Sequence, residues 1–210
     1  SSGLNFYPDL ALLNSFPPYF NDSAAKMEDV FDKMIMLGAS KAIITLHRKP
    51  DNHWGRERTE EEFVLQVGRL CDAASKRGIS ILLQPHATRW VDTTARANEF
   101  LDAVGHENLR IALNTGHLLI AGEDPGAAVA TAGTRLGAVL FSSPTRDRYG
   151  PWDDSHSPFS GDRISKGEFG DPADRDDVLF ILDGDYPDID SAYPSLVAAR
   201  QTLATSNEEH

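Results

Sequence analysis

The feature that most constrains this chain is a series of short apolar runs that end on amide or imidazole side chains, separated by stretches with helical spacing. The clearest are Ile79-Ser80-Ile81-Leu82-Leu83, running into Gln84-Pro85-His86, and Leu109-Arg110-Ile111-Ala112-Leu113, running into Asn114-Thr115-Gly116-His117. Strands that alternate with helices build βαβ units and therefore a parallel sheet. In such sheets the strand C-termini open onto the ligand face, so the residues just past each run are the candidates for binding and chemistry. Here those residues are Gln84 and Asn114, which carry no charge where a carboxylate would supply acid–base capacity.

The same alternation extends along most of the chain. Asp9–Phe16 reads as a strand, and Ser23–Leu37 as a helix with Met27, Val30, Phe31, Met34 and Ile35 at helical spacing, stopped by Gly38. Lys41–Leu46 is a strand leading to His47. Thr59-Glu60-Glu61-Glu62 has the form of a capping box for a helix that runs to Lys76 and closes at Gly78. Ile79–Leu83 is a strand, Thr93–Val104 a helix and Leu109–Leu113 a strand. Asp124-Pro125 is an N-cap followed by a first helical position, opening an alanine-rich helix to about Thr131. Leu136–Phe141 and Val178–Leu182 are strands, and Ser195–Ala204 is the last helix. The polar stretch Pro144–Asp177 is too long for an ordinary connection and reads as a functional loop or lid, with Trp152 as its apolar anchor.

These elements make an α/β fold, and the 210 residues, 40% of them hydrophobic, suit one domain, 1–210, with a substantial core. Two architectures accept the pattern: a doubly wound open sheet and a (β/α)8 barrel. No glycine-rich phosphate fingerprint follows any strand, which counts against a dinucleotide-binding Rossmann domain. Six strands fall short of eight, so a barrel would lack its first one or two βα units. The formal net charge of −12 repels phosphate backbones, so nucleic acid is not an expected partner. No apolar run is long enough to span a membrane and no signal peptide is visible, so a cytoplasmic location is the default expectation. The single cysteine, Cys71, lies in an apolar helical stripe and reads as core.

The ordered motifs resemble the xylose-isomerase-like TIM-barrel superfamily, which groups sugar isomerases and epimerases with the type IV apurinic endonucleases. In that family one strand ends in a Glu ligand, where this chain has Leu82-Leu83-Gln84-Pro85-His86. The next strand ends in Asp-Thr-x-His, matched here by Asn114-Thr115-Gly116-His117 and followed by Ala121-Gly122-Glu123-Asp124-Pro125. An earlier strand ends in a histidine that corresponds to His47. A later strand ends in a histidine where this chain has Ser142-Ser143, and the last ends in a Glu where it has Asp183-Gly184-Asp185. Asp154-Ser155-His156 is similar to the Asp-x-His of the endonuclease branch.

The resemblance implies a sugar isomerase or epimerase with a divalent metal held by carboxylates and imidazole, and a carboxylate that moves a proton. Gln for Glu and Asn for Asp keep the shape of that site but remove two negative charges that hard cations need. The expectation is therefore a protein that binds a small polyhydroxylated or carbonyl ligand without the usual metal. His47, Gln84, His86, Asn114 and Trp152 would contact it, and His117 and Asp183 would carry proton transfer. His47 with Arg48 and Lys49 reads as a solvated loop before it reads as a site for an anionic group such as phosphate. Arg89-Trp90 reads as a stacking surface or a rim cover, and Asp183 with Asp185 as acid/base groups or turn residues.

Two alternatives remain open. One is a non-catalytic relative acting as a homo-oligomer or partner subunit. The other is a zinc-dependent phosphoesterase or nuclease using His117, Asp154 and His156 as ligands. No cofactor is required by the sequence, and zinc or manganese are the candidates.

Overall fold

The computed structural model describes residues 17–46, 55–146, 152–164, 169 and 175–203, with side chains described from 27 onward except at 146 and 152–156. The expected strand Asp9–Phe16 and the site residue His47 lie outside them. The chain divides into two compact units: 1–92 with 96–111, and 93–95 with 112–210.

In the first unit, helix α1 (Pro17–Met36) is followed by strand β1 (Lys41–Ile44), helix α2 (Arg56–Ser75), strand β2 (Ser80–Leu83), helix α3 (Thr94–Val104) and the start of strand β3 (Leu109–Asn114). β1 and β2 are parallel, pairing Lys41 with Ser80 through Ile44 with Leu83, and β2 is parallel to β3. The helices bury one stripe each: Met27, Phe31 and Met34 on α1, and Phe63, Val67, Leu70, Cys71 and Ala74 on α2. Beyond α2, Arg77 reaches back to α1, donating to Asp32 at 2.7 Å and Glu28 at 3.1 Å. The guanidinium holds the Asp32 carboxyl below its usual range.

The capping box is not formed. α2 begins at Arg56, before Thr59, and the Thr59 hydroxyl donates to the Gly55 carbonyl 2.9 Å away, a back-bond inside the first turn. Cys71 is fully buried, as its place in the stripe requires, and burial pushes its thiol up to about 12. Because the thiolate is the reactive form, Cys71 is expected to stay unmodified by a thiol reagent at pH 8 in the native protein. It should react fully once the protein is unfolded, as a mass-shift assay with and without denaturant will show.

In the second unit, β3 ends directly on helix α4 (Thr115–Ala121). Helix α5 (Pro125–Ala132), strand β4 (Leu136–Phe141), an antiparallel ribbon of β5 (Ser143–Arg146) and β6 (Trp152–Ser157), strand β7 (Leu179–Leu182) and helix α6 (Ile189–Leu203) follow. The sheet order is β1-β2-β3-β4-β7, with β4 parallel to β7. Every residue of β4 is buried, as expected of an inner parallel strand. Asp124 caps α5 as its sequence position implies, accepting from the Ala127 amide at 2.8 Å, with Pro125 in the first turn.

Three elements depart from expectation. α4 (Thr115–Ala121) fills a stretch to which the sequence pattern assigns no element. α6 starts at Ile189, upstream of Pro194, because Asp188 accepts from the Ser191 amide at 2.7 Å and caps it. The polar stretch after β4 is not wholly a loop, since its first part forms the β5–β6 ribbon. The ribbon's register slips between Ser143 and Thr145, where Pro144 has no N–H to give the ladder. No helix among the described residues is long and apolar enough to cross a membrane.

Candidate functional site

The C-terminal ends of β3, β4 and β7 come together on one hydrogen-bonded cluster in the second unit. Asn114, the last residue of β3, is also the N-cap of α4. Its Oδ1 accepts from the His117 amide at 3.2 Å and from the Ser142 hydroxyl at 2.7 Å, and its Nδ2 donates to Asp183 Oδ2 at 2.7 Å. A backbone N–H can only donate, so the atom facing His117 must be the amide oxygen, and the nitrogen is left facing the carboxylate. Both lone pairs of Oδ1 are therefore in use, and one of the two Nδ2 protons.

The rest of the Asn114–His117 motif locks the same corner. The Thr115 hydroxyl donates to the Ser142 carbonyl at 2.6 Å and accepts from the Ser142 amide at 3.0 Å. Gly116 gives Ser142 its room, since a Cβ there would stand 2.6 Å from the Ser142 hydroxyl oxygen and 3.2 Å from Asn114 Oδ1. Asn114, Thr115, His117 and Ser142 are all buried, and Asp183 is half-buried. The Asp183 amide donates to the Phe141 carbonyl at 2.9 Å, which fixes the end of β7 beside that of β4.

Of the residues expected at the site, the structure thus brings Asn114, the backbone of His117 and Asp183 together. Sequence reasoning noted Ser142 only as a missing histidine and missed it as a partner. Its signal is weak, a serine at a strand end, and its significance appears only through Asn114. In the first unit, Gln84 and His86 follow β2 and are both buried. His86 Nδ1 faces the Thr88 amide at 3.2 Å, so the neutral ring carries its proton on Nε2. Trp90 is used by α2: its indole N–H donates to Glu60, its ring lies 5.7 Å from that of Phe63, and the Arg56 guanidinium sits 5.6 Å from its centroid. This is the rim-covering reading, with the ring already occupied.

Asp154, His156 and Trp152 lie on β6, and their side chains are outside the described residues. Among the described residues, no group of three or more His, Cys, Asp or Glu is placed to hold a metal ion. The Ala121–Pro125 segment is a pair of caps: Glu123 accepts from the Thr94 amide at 3.0 Å and Asp124 caps α5. Just past Ser142 opens a small cleft of about 90 Å³, lined by residues that include Leu119, Ser143, Pro144, Phe159, Asp162 and Arg163.

The family model of the xylose isomerase-like TIM barrel matches residues 2–169. The chain belongs to that family. Its parallel strands alternating with helices are the α/β pattern of this xylose isomerase-like barrel, and the doubly wound alternative falls away. No curated protein matches the chain in sequence. Among solved structures it is similar to an L-ribulose 3-epimerase, with 16% identity and a TM-score of 0.66 over 90% of this chain and 68% of that one. It is similar also to D-psicose 3-epimerase from Clostridium cellulolyticum H10, crystallised with D-tagatose, with 17% identity and a TM-score of 0.62 over 91% and 71%. A third is the probable 3-DHS dehydratase AsbF from Bacillus anthracis, with 16% identity and a TM-score of 0.64 over 93% and 73%. At these identities the likeness is one of fold.

The divalent metal implied by the family resemblance does not fit the donors at these three strand ends. They offer one carboxylate, a hydroxyl committed as a donor, and an amide that turns an N–H toward the carboxylate. Hard divalent cations take oxygen ligands, several of them charged.

Proposed function

We propose that this xylose isomerase-like protein binds a small polyhydroxylated or carbonyl compound of the ketose class at the ends of β3, β4 and β7, without a divalent metal at Asn114. The observation that carries this reading is the Asn114–Ser142–Asp183 cluster, whose polar groups pair with one another in place of converging on an ion. Neutral amides and hydroxyls at a strand-end face hydrogen-bond sugar hydroxyls, and a small cleft opens beside them at Ser143 and Pro144. The family and the ketose epimerases similar in fold supply the ligand class. Asp183 is the group that moves a proton, because an amide cannot accept one near neutral pH. His117, buried in the first turn of α4, is the second candidate for that role.

The test is a panel of D-psicose, D-tagatose, D-fructose and L-ribulose, read by calorimetry for binding and by NMR in D2O for exchange of the carbon-bound proton next to the carbonyl. Saturable binding and exchange in chelator are the expected results. Asp183→Asn should cut exchange by about 100-fold or more, the usual contribution of a positioned base, while binding persists. Binding with no exchange in the parent protein would identify the non-catalytic relative. Binding of none of the four would overturn the reading.

A further inference from the structure

The contact between Asn114 and Asp183 has a sign that can be inverted by one atom. Asn114 Nδ2 stands 2.7 Å from Asp183 Oδ2, and its orientation is fixed by the His117 amide and the Ser142 hydroxyl on the other side. An aspartate in the same place would keep both of those bonds, since its oxygen accepts as well as the amide oxygen does. Its second oxygen, however, would meet the Asp183 carboxylate at contact distance. Two carboxylates that close cannot both remain ionised unless a proton or a cation stands between them.

We propose that this contact is a divalent-cation site closed by an amide: the Asn114 N–H occupies the place of the ion, and Asn114→Asp alone opens the site. The opened site would present two facing carboxylates, 114 and 183, with water to complete the shell, an oxygen set suited to Mn²⁺ or Mg²⁺. The two carboxylates stand at the ends of β3 and β7, held in place whatever side chain occupies 114 by the Thr115 hydroxyl on the Ser142 backbone and by the Asp183 amide on the Phe141 carbonyl. The inference rests on the metal-free reading above. It concerns folding and cation binding with no sugar present, so a protein that binds no ketose leaves it intact.

The experiment is thermal unfolding of the parent protein, N114D and the swapped pair N114D/D183N, each in chelator and in millimolar MnCl₂. The parent is expected to melt at the same temperature in both. N114D should melt about 5 °C or more lower in chelator, or fail to fold there, and regain most of that shift with Mn²⁺. The swapped pair restores one donor facing one carboxylate, so it should melt near the parent and ignore Mn²⁺. A parent protein whose melting responds to chelator or Mn²⁺ overturns the proposal. So does N114D unchanged in chelator, or N114D that Mn²⁺ does not restore while the swapped pair folds.

Discussion

Phe141→Ala is expected to lower the free energy of unfolding by about 4 kcal/mol, the cost of emptying a buried aromatic site. Phe141 ends β4 and is 1% exposed. Its ring lies 5.0 Å from that of Phe159, 5.5 Å from Phe169 in an edge-on arrangement, and 6.3 Å from Phe180, with which it stacks. Those rings come from three places along the chain: the segment after the ribbon, residue 169, and β7. No single neighbour can close the hole. Urea denaturation should show a lower midpoint with an unchanged slope, and Phe141→Leu should recover more than half of the loss. A cost below about 1 kcal/mol for the alanine variant would mean that the cluster is not core, against the burial seen.

Asn114→Leu carries the second large effect, about 3 kcal/mol, by a different route. It keeps the branched shape and removes three hydrogen bonds. Losing the cap of α4 costs about 1 kcal/mol, and the Ser142 hydroxyl, buried and stripped of its acceptor, adds about 1–3 kcal/mol. Asp183 is half-buried and recovers water, so its share is small. Asn114→Ser, which retains a cap-forming oxygen but not the reach to Asp183, should fall between the two. Beyond the unfolding curve, hydrogen exchange at the His117 amide should speed up in the leucine variant, because that amide loses its acceptor. Unchanged protection there would show that another group caps the helix.

The parts of the fold legible in the sequence are those fixed by local chemistry. β4 was readable to the residue because Leu136–Phe141 is a continuous apolar run, and α5 because Asp124-Pro125 supplies a cap and a fixed first turn. α4 was not, because its seven residues are too few to show a helical period, and the Asn114 cap bond that starts it is visible only in the structure. The capping box at Thr59 failed for the opposite reason: a well-formed local signal lay inside a helix that starts one turn earlier. At the site, the loss of charge at Asn114 was visible in the sequence. Its consequences were not, because Ser142 and Asp183 lie 28 and 69 residues away and meet Asn114 only through the packing of parallel strands. The side chains of Trp152, Asp154 and His156 lie outside the described residues, as does His47.

The double duty of Asn114 also narrows what substitution can do at this corner. Because the strand's last residue must cap the helix that follows without a break, the side chain has to be short and carry an oxygen acceptor, which leaves Asn, Asp, Ser or Thr. Of these four, only asparagine combines the reach to the neighbouring carboxylate with a proton to give it. An acid-shaped side chain at this corner is therefore something the architecture demands for its own sake. Its presence alone is not a sign of surviving chemistry, and the charge it carries is the one property left for function to choose.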